Sequence, residues 1–148
     1  MKKPPTVVVL VGLPASGKST WAAGKPVLSS DAMRALLAGD ERDQSIHKEV
    51  FAAIRYLLKE RIRLGRPVTY VDATHLTPWE RAPYKRLKGV RLEAVFFDTP
   101  LEVCKARNRA RARVVPDEVI DRMAAKLVKP ARDEGFRKIT VVKPDLPI

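Results

Sequence analysis

The sequence predicts an α/β fold: a mostly parallel sheet of four to five strands with helices on both faces. Three observations carry that prediction. Thr6 to Val11 is a continuously apolar, β-branched run, as expected of a strand covered on both faces. Strand-like and helix-like segments then alternate along the chain, the pattern of a parallel sheet with crossover helices. Finally, Thr77-Pro78-Trp79-Glu80 and Thr99-Pro100-Leu101-Glu102 each follow a strand directly and read as helix starts. Thr stands at the cap, Pro at the first helical position, and Glu where it completes a capping box.

Taken in order, Thr6 to Val11 is the first strand and Val27 to Ser30 a short second one. A long helix follows, with Ile46, Val50, Ile54, Leu57, Leu58 and Ile62 at three-to-four spacing and a stop near Gly65 and Pro67. Val68 to Val71, Leu92 to Phe97 and Ile139 to Val142 are the remaining strands. Val119, Ile120, Met123 and Leu127 repeat the helical spacing near the C-terminus. Ligands of such sheets bind outside the carboxyl ends of the strands, so functional residues are expected just after each strand.

Composition narrows the function classes. The 148 residues are expected to form a single domain, 1–148, long enough to bury a core without staples. No apolar run approaches the roughly 20 residues of a membrane span. The two lysines before the first strand mimic a leader, but the apolar stretch is short and has no small-residue cleavage site. One cysteine, Cys104, excludes an internal disulfide framework and a Cys-rich metal site. A cytoplasmic location is expected. The net charge of +12 favours polyanionic partners such as nucleic acid or nucleotide phosphates.

The first strand runs straight into Gly12-Leu13-Pro14-Ala15-Ser16-Gly17-Lys18-Ser19-Thr20. This is the complete G-x-x-x-x-G-K-[ST] phosphate loop, with a strand before it and a helix after it. It makes the expected fold a P-loop NTPase-type sheet. Glycines permit the turn that aims backbone amides at one point, and the helix N-terminus adds its dipole. Gly12, Pro14, Ala15, Ser16, Gly17, Lys18, Ser19 and Thr20 are therefore candidate ATP-binding residues. Lys18 is expected to reach the β- and γ-phosphates and to be exposed, and Ser19 to ligate Mg²⁺.

Further residues bear on phosphoryl transfer. Asp31 and Arg34 are three apart, on one helix face after the second strand. Asp31 could accept the proton of an attacking hydroxyl, and Arg34 could hold an anionic part of that acceptor. An acidic first helical turn with a solvated arginine accounts for the pair equally well. Asp72 closes the third strand beside the phosphate loop, as a Walker-B-like carboxylate does. Asp72, Thr74 and His75 are candidate substrate contacts, although a lone turn histidine is more often a surface or hydrogen-bonding residue. In Lys105 to Arg113, helical spacing puts Arg107 and Arg111 on one face and Lys105, Arg109 and Arg113 on the other. The first pair suits a lid over a transferring phosphoryl group; the second is expected to face solvent or a nucleic-acid backbone.

These residues, in this order, resemble the kinase domain of 5′-polynucleotide kinases of the phage and bacterial RNA-repair type. The resemblance rests on Gly12 to Ser19 followed by Thr20-Trp21-Ala22, on Ser30-Asp31-x-x-Arg34, on Asp72-Ala73-Thr74-His75, and on Arg107-Asn108-x-x-Arg111 before Val115-Pro116. It spans roughly Val7 to Met123. It implies transfer of the ATP γ-phosphate to a 5′-hydroxyl nucleic-acid end, with Mg²⁺ as cofactor. Lys18, Asp31 and Arg111 would be catalytic, Asp31 as general base. Arg34 would grip the 3′-phosphate of the terminal nucleotide, and Arg107 would lie near the donor. His75 departs from the family, which commonly has Asn there. The chain would be a free-standing kinase, of unassigned oligomeric state. The alternative is a small-molecule or sugar-nucleotide kinase of gluconate-, shikimate- or zeta-toxin-like type, sharing the loop and lid but not the acceptor pocket.

Overall fold

The sheet is built outward from the apolar run that opens the chain. The structure is a computed structural model describing residues 3–111 and 114–144. Strand β1 (Thr6–Val11) lies at its centre, with β3 (Val68–Asp72) on one side and β4 (Arg91–Phe97) on the other. β2 (Val27–Ser29) extends the β3 edge and β5 (Lys138–Val142) the β4 edge. The order β2-β3-β1-β4-β5 is parallel throughout, with Leu10 opposite Asp72 and Val95. All strands therefore deliver their carboxyl ends to one edge.

Alternate residues of β1 enter different cores, as the two-residue period of a strand requires. Val7, Val9 and Val11 pack with Met33 of α2 (Ser30–Ala38), Val50, Ile54 and Leu58 of α3 (His47–Arg63), and Tyr84 of α4 (Pro78–Lys85). Val8 and Leu10 face the other way, toward Trp21 and Ala22 of α1 (Lys18–Ala22). A third cluster joins Leu13 and Leu76 to Cys104 of α5 (Leu101–Arg109) and Met123 of α6 (Asp117–Lys126), above the carboxyl edge. Of the spaced residues in the long helix, Val50, Ile54 and Leu58 form the buried line, whereas Leu57 is exposed.

The two Thr-Pro helix starts behave differently. At α4 the Thr77 hydroxyl accepts from the Glu80 amide at 3.2 Å, and Glu80 returns a carboxylate oxygen to the Leu76 amide, one residue upstream of the cap. At α5 the cap is Pro100, without a side-chain bond. Thr99 is instead buried and donates its hydroxyl to the Ser16 carbonyl of the phosphate loop at 2.8 Å. A residue read as a local cap is thus a tertiary strut.

The arginine-bearing helix also ends sooner than its spacing suggests. α5 stops at Arg109, and Arg111 lies in the turn beyond it. Arg113 lies outside the described residues. Lys105 and Arg109 turn to α6, pairing with Asp121 and Asp117, each at 2.6 Å. These two cations of the second stripe join two helices, and the Arg109 side chain stays 58% exposed while doing so.

Candidate active site

A cleft of about 1220 Å³ opens along the carboxyl edge of the sheet. Its floor is the phosphate loop between β1 and α1. Gly12 is required there by close approach: a Cβ would stand 2.7 Å from the Ser16 hydroxyl and 3.1 Å from Phe97 Cβ. Gly17 is required by conformation, since its φ of 109° lies in the left-handed region. Ala15 sits at φ 62°, an unusual position for a residue with a Cβ. The loop is tied down by Gly12 N–H to Thr74 O, by Ser16 N–H to Leu13 O, and by the Thr99 strut. Gly17 caps α1 without a side-chain bond, so the first amides of that helix have no intrahelical partner.

Lys18 is not exposed. Its ammonium donates to the carbonyls of Gly12 (2.9 Å) and Leu13 (2.8 Å), and only 8% of the residue is accessible. Burial lowers its pKa to about 8, against the opposing pull of the Asp72 carboxylate. The loop folds back over the charge that sequence reasoning left in solvent. Beside it, the Ser19 hydroxyl donates to Asp72 Oδ2 at 2.9 Å. A hydroxyl and a buried carboxylate side by side are hard oxygen donors of the kind Mg²⁺ takes alongside substrate phosphates. Among the described residues no cluster of three or more His, Cys, Asp or Glu could hold a metal without such help.

α2 begins at the Ser29 cap, whose hydroxyl accepts from the Ala32 amide, and this sets Asp31 and Arg34 toward the cleft. Arg34 Nη1 lies 3.5 Å from Asp31 Oδ1. Arg34 is 4% exposed, and its Nε is buried with no hydrogen-bond partner among the described residues. A buried unpaired donor costs about 1–3 kcal/mol. Arg42, Gln44, His47 and Phe51 line the same cleft, as does the indole of Trp79. Sequence reasoning missed this group. The only available signal was that residues 40–47 form a polar connection between two helices rather than core.

Arg107 and Arg111 reach the loop by different routes. Arg107 projects from the last turn of α5, and a Cβ on Gly17 would come within 4.0 Å of its Nη1. Arg111 is close enough for its charge to oppose that of the Lys18 ammonium. The turn that carries Arg111 is bracketed by Asn108, fully buried, whose amide donates to Val115 O (2.6 Å) and accepts from Val115 N–H (3.0 Å).

His75 does not line the cleft. It is 2% exposed, with φ 48°, and both ring nitrogens have protein partners. Nδ1 lies 2.6 Å from the Leu10 carbonyl, which can only accept, so Nδ1 carries the proton. Nε2 then accepts from the Tyr84 hydroxyl at 2.8 Å. Burial pushes the imidazole pKa down to about 4 and keeps it neutral. Its own carbonyl accepts from Arg81 Nη1 (2.7 Å), while Arg81 Nε pairs with Glu134 at 2.8 Å. The histidine thus braces β1 against α4. Thr74, Asp72, Asp31, Arg34, Arg107 and Arg111 do meet in one cleft with Pro14 to Thr20.

A family model, AAA_33, described as an AAA domain, matches residues 7–130. The chain belongs to the AAA domain family. Its five parallel strands and phosphate loop give this AAA domain a P-loop NTPase-like α/β fold. No curated protein is similar enough to match. Among solved structures, the Pnkp1/Rnl/Hen1 RNA repair complex is similar at 16% identity with a TM-score of 0.71, over 86% of this chain and 45% of that one. This AAA domain thus spans less than half of that chain. A gluconokinase from Sinorhizobium meliloti is similar at 21% identity and TM-score 0.60, over 99% of this chain and 86% of that one. A sugar kinase from a Janibacter species is similar at 20% identity and TM-score 0.68, over 95% and 86% respectively. Identities this low establish the shared fold. Among the described residues no helix is long and apolar enough to cross a membrane.

Proposed function

We propose that this protein is an ATP-dependent kinase that transfers the γ-phosphate to the 5′-hydroxyl end of a polynucleotide. The observation that carries the reading is Arg34: a buried guanidinium with an unpartnered Nε, facing the cleft beside a carboxylate. Such an arginine suits an anionic acceptor, and a net charge of +12 suits a polyanion.

In this reading the loop amides and Lys18 hold the donor phosphates, and Ser19 and Asp72 would hold Mg²⁺. When bound, that ion would neutralise charge on the β- and γ-phosphate oxygens. Asp31 takes the proton from the acceptor hydroxyl, whose oxygen bonds to the γ-phosphorus as the bond to the β-phosphate oxygen breaks and ADP leaves. Arg107 and Arg111 stabilise the charge on the transferring group. Arg34 holds the phosphate on the 3′ side of the terminal nucleotide.

The second reading, a small-molecule or sugar kinase, is favoured by the gluconokinase and sugar-kinase neighbours, each covered over 86% of its length. One assay separates the two: labelled ATP and Mg²⁺ with a 5′-hydroxyl oligonucleotide, beside a panel of sugars and sugar acids. Label on the oligonucleotide alone supports the first reading; label only on a sugar overturns it. Asp31→Ala should then lose about 10²- to 10⁴-fold in turnover with ATP affinity unchanged.

A further inference from the structure

Trp79 is 84% exposed, the highest value for a large apolar side chain among the described residues, yet it lines the active-site cleft. The other tryptophan, Trp21, packs edge-on against Tyr70 and Phe97. Trp79 has no such ring contact among the described residues. Its backbone is nevertheless fixed. It follows Pro78 at the start of α4, where the Thr77 cap and the Glu80 carboxylate tie down the first turn. An indole has two side-chain torsions, so little freedom remains to be lost when a flat ligand covers it. The same cleft holds the Arg34 and Arg42 guanidiniums and the rings of His47 and Phe51, the latter two 4.7 Å apart. Cationic groups and an open aromatic face lining one cleft are the combination that holds single-stranded nucleic acid.

We propose that Trp79 is a stacking platform for a nucleobase at the acceptor end, and so a specificity-determining residue for the acceptor. The proposal rests on the polynucleotide reading above. A stack of this kind tolerates any base, because every base has a π-face. It is blind to the donor, which is held by the loop and Arg107.

The test uses two 5′-hydroxyl oligonucleotides, one complete and one lacking bases at its first two positions, with Trp79→Ala and Trp79→Phe. For the complete acceptor, Trp79→Ala should raise KM about 5- to 150-fold, the range that stacking energies imply. Trp79→Phe should recover much of the loss. On the base-free acceptor, wild type and Trp79→Ala should have the same KM, and KM for ATP should not move in either variant. An unchanged KM in Trp79→Ala, or equal losses on both acceptors, would overturn the stacking role while leaving the kinase reading in place. Wild type that labels neither oligonucleotide but labels a sugar would overturn both. The side chain is solvent-exposed, so the alanine variant should fold normally, and its melting temperature checks this.

Discussion

The Ser19 hydroxyl donates to the Asp72 carboxylate at 2.9 Å, across 53 residues of sequence. Parallel pairing of β1 with β3 creates this relationship, because it brings the end of β3 level with the root of the phosphate loop. Removing charge from one partner should weaken the hold on the divalent ion. Asp72→Asn is expected to shift the Mg²⁺ dependence of turnover about 10- to 100-fold upward in concentration. Mg²⁺ titrations at saturating ATP and acceptor check this, and an unchanged midpoint would remove Asp72 from the metal site.

Arg34 should separate function from stability. Its unpartnered Nε makes it a costly residue to bury, so Arg34→Met is expected to keep or raise the melting temperature. The same variant should raise KM for a 3′-phosphorylated nucleoside about 10- to 100-fold and barely alter KM for the bare nucleoside. Arg34→Lys should recover only part, since an ammonium lacks the two-pronged fork. Equal losses on both acceptors would mean that Arg34 does not clamp a phosphate.

His75 predicts an acid limb in stability. Its pKa is about 4 in the folded protein, below the ordinary 6.5, so the unfolded chain binds the extra proton first. The stability it contributes is complete above pH 6.5 and is lost as pH falls toward 4, at up to about 1.4 kcal/mol per pH unit. Denaturant midpoints between pH 7 and 4 should show this slope, and His75→Asn should flatten it. An equal slope in the variant would place the proton uptake elsewhere.

Asn108 should act on Arg111 without touching substrate. Asn108→Ala leaves both polar backbone groups of Val115 without their partner and frees the turn that carries Arg111. Turnover should fall about 10-fold or more, while KM for the acceptor changes little. Single-turnover kinetics would show the loss in the chemical step; a normal rate would make the bracket purely structural.

The strands were legible because an apolar run covered on both faces has few other readings, and the loop because each of its residue types is forced by geometry. Much of what escaped was decided by partners in other elements. Thr77-Pro78 and Thr99-Pro100 look alike, yet only Thr77 caps its helix; Thr99 finds a carbonyl 83 residues earlier. Lys105 and Arg109 looked like a solvated stripe because Asp121 and Asp117 belong to the next helix. Lys18 was expected in solvent because no pattern reports that a loop folds over its own ammonium. Arg107 and Arg111 share one face only on a continuous helix, and this one ends between them.

The phosphate loop and the cleft residues around it, from α1, β3 and α5, are knitted together by struts such as Thr99 to Ser16. Four other residues of the cleft are distributed otherwise. Arg42, Gln44, His47 and Phe51 all come from one short stretch of chain, whose connecting turn is held by its own contacts, Asp43 to Ser45 and Asp40 to Arg42. Mutation can therefore redraw that part of the cleft within a dozen consecutive positions without touching the phosphate loop. One scaffold could alter a wall of its cleft by editing a single cassette, while the phosphate loop stays as it is.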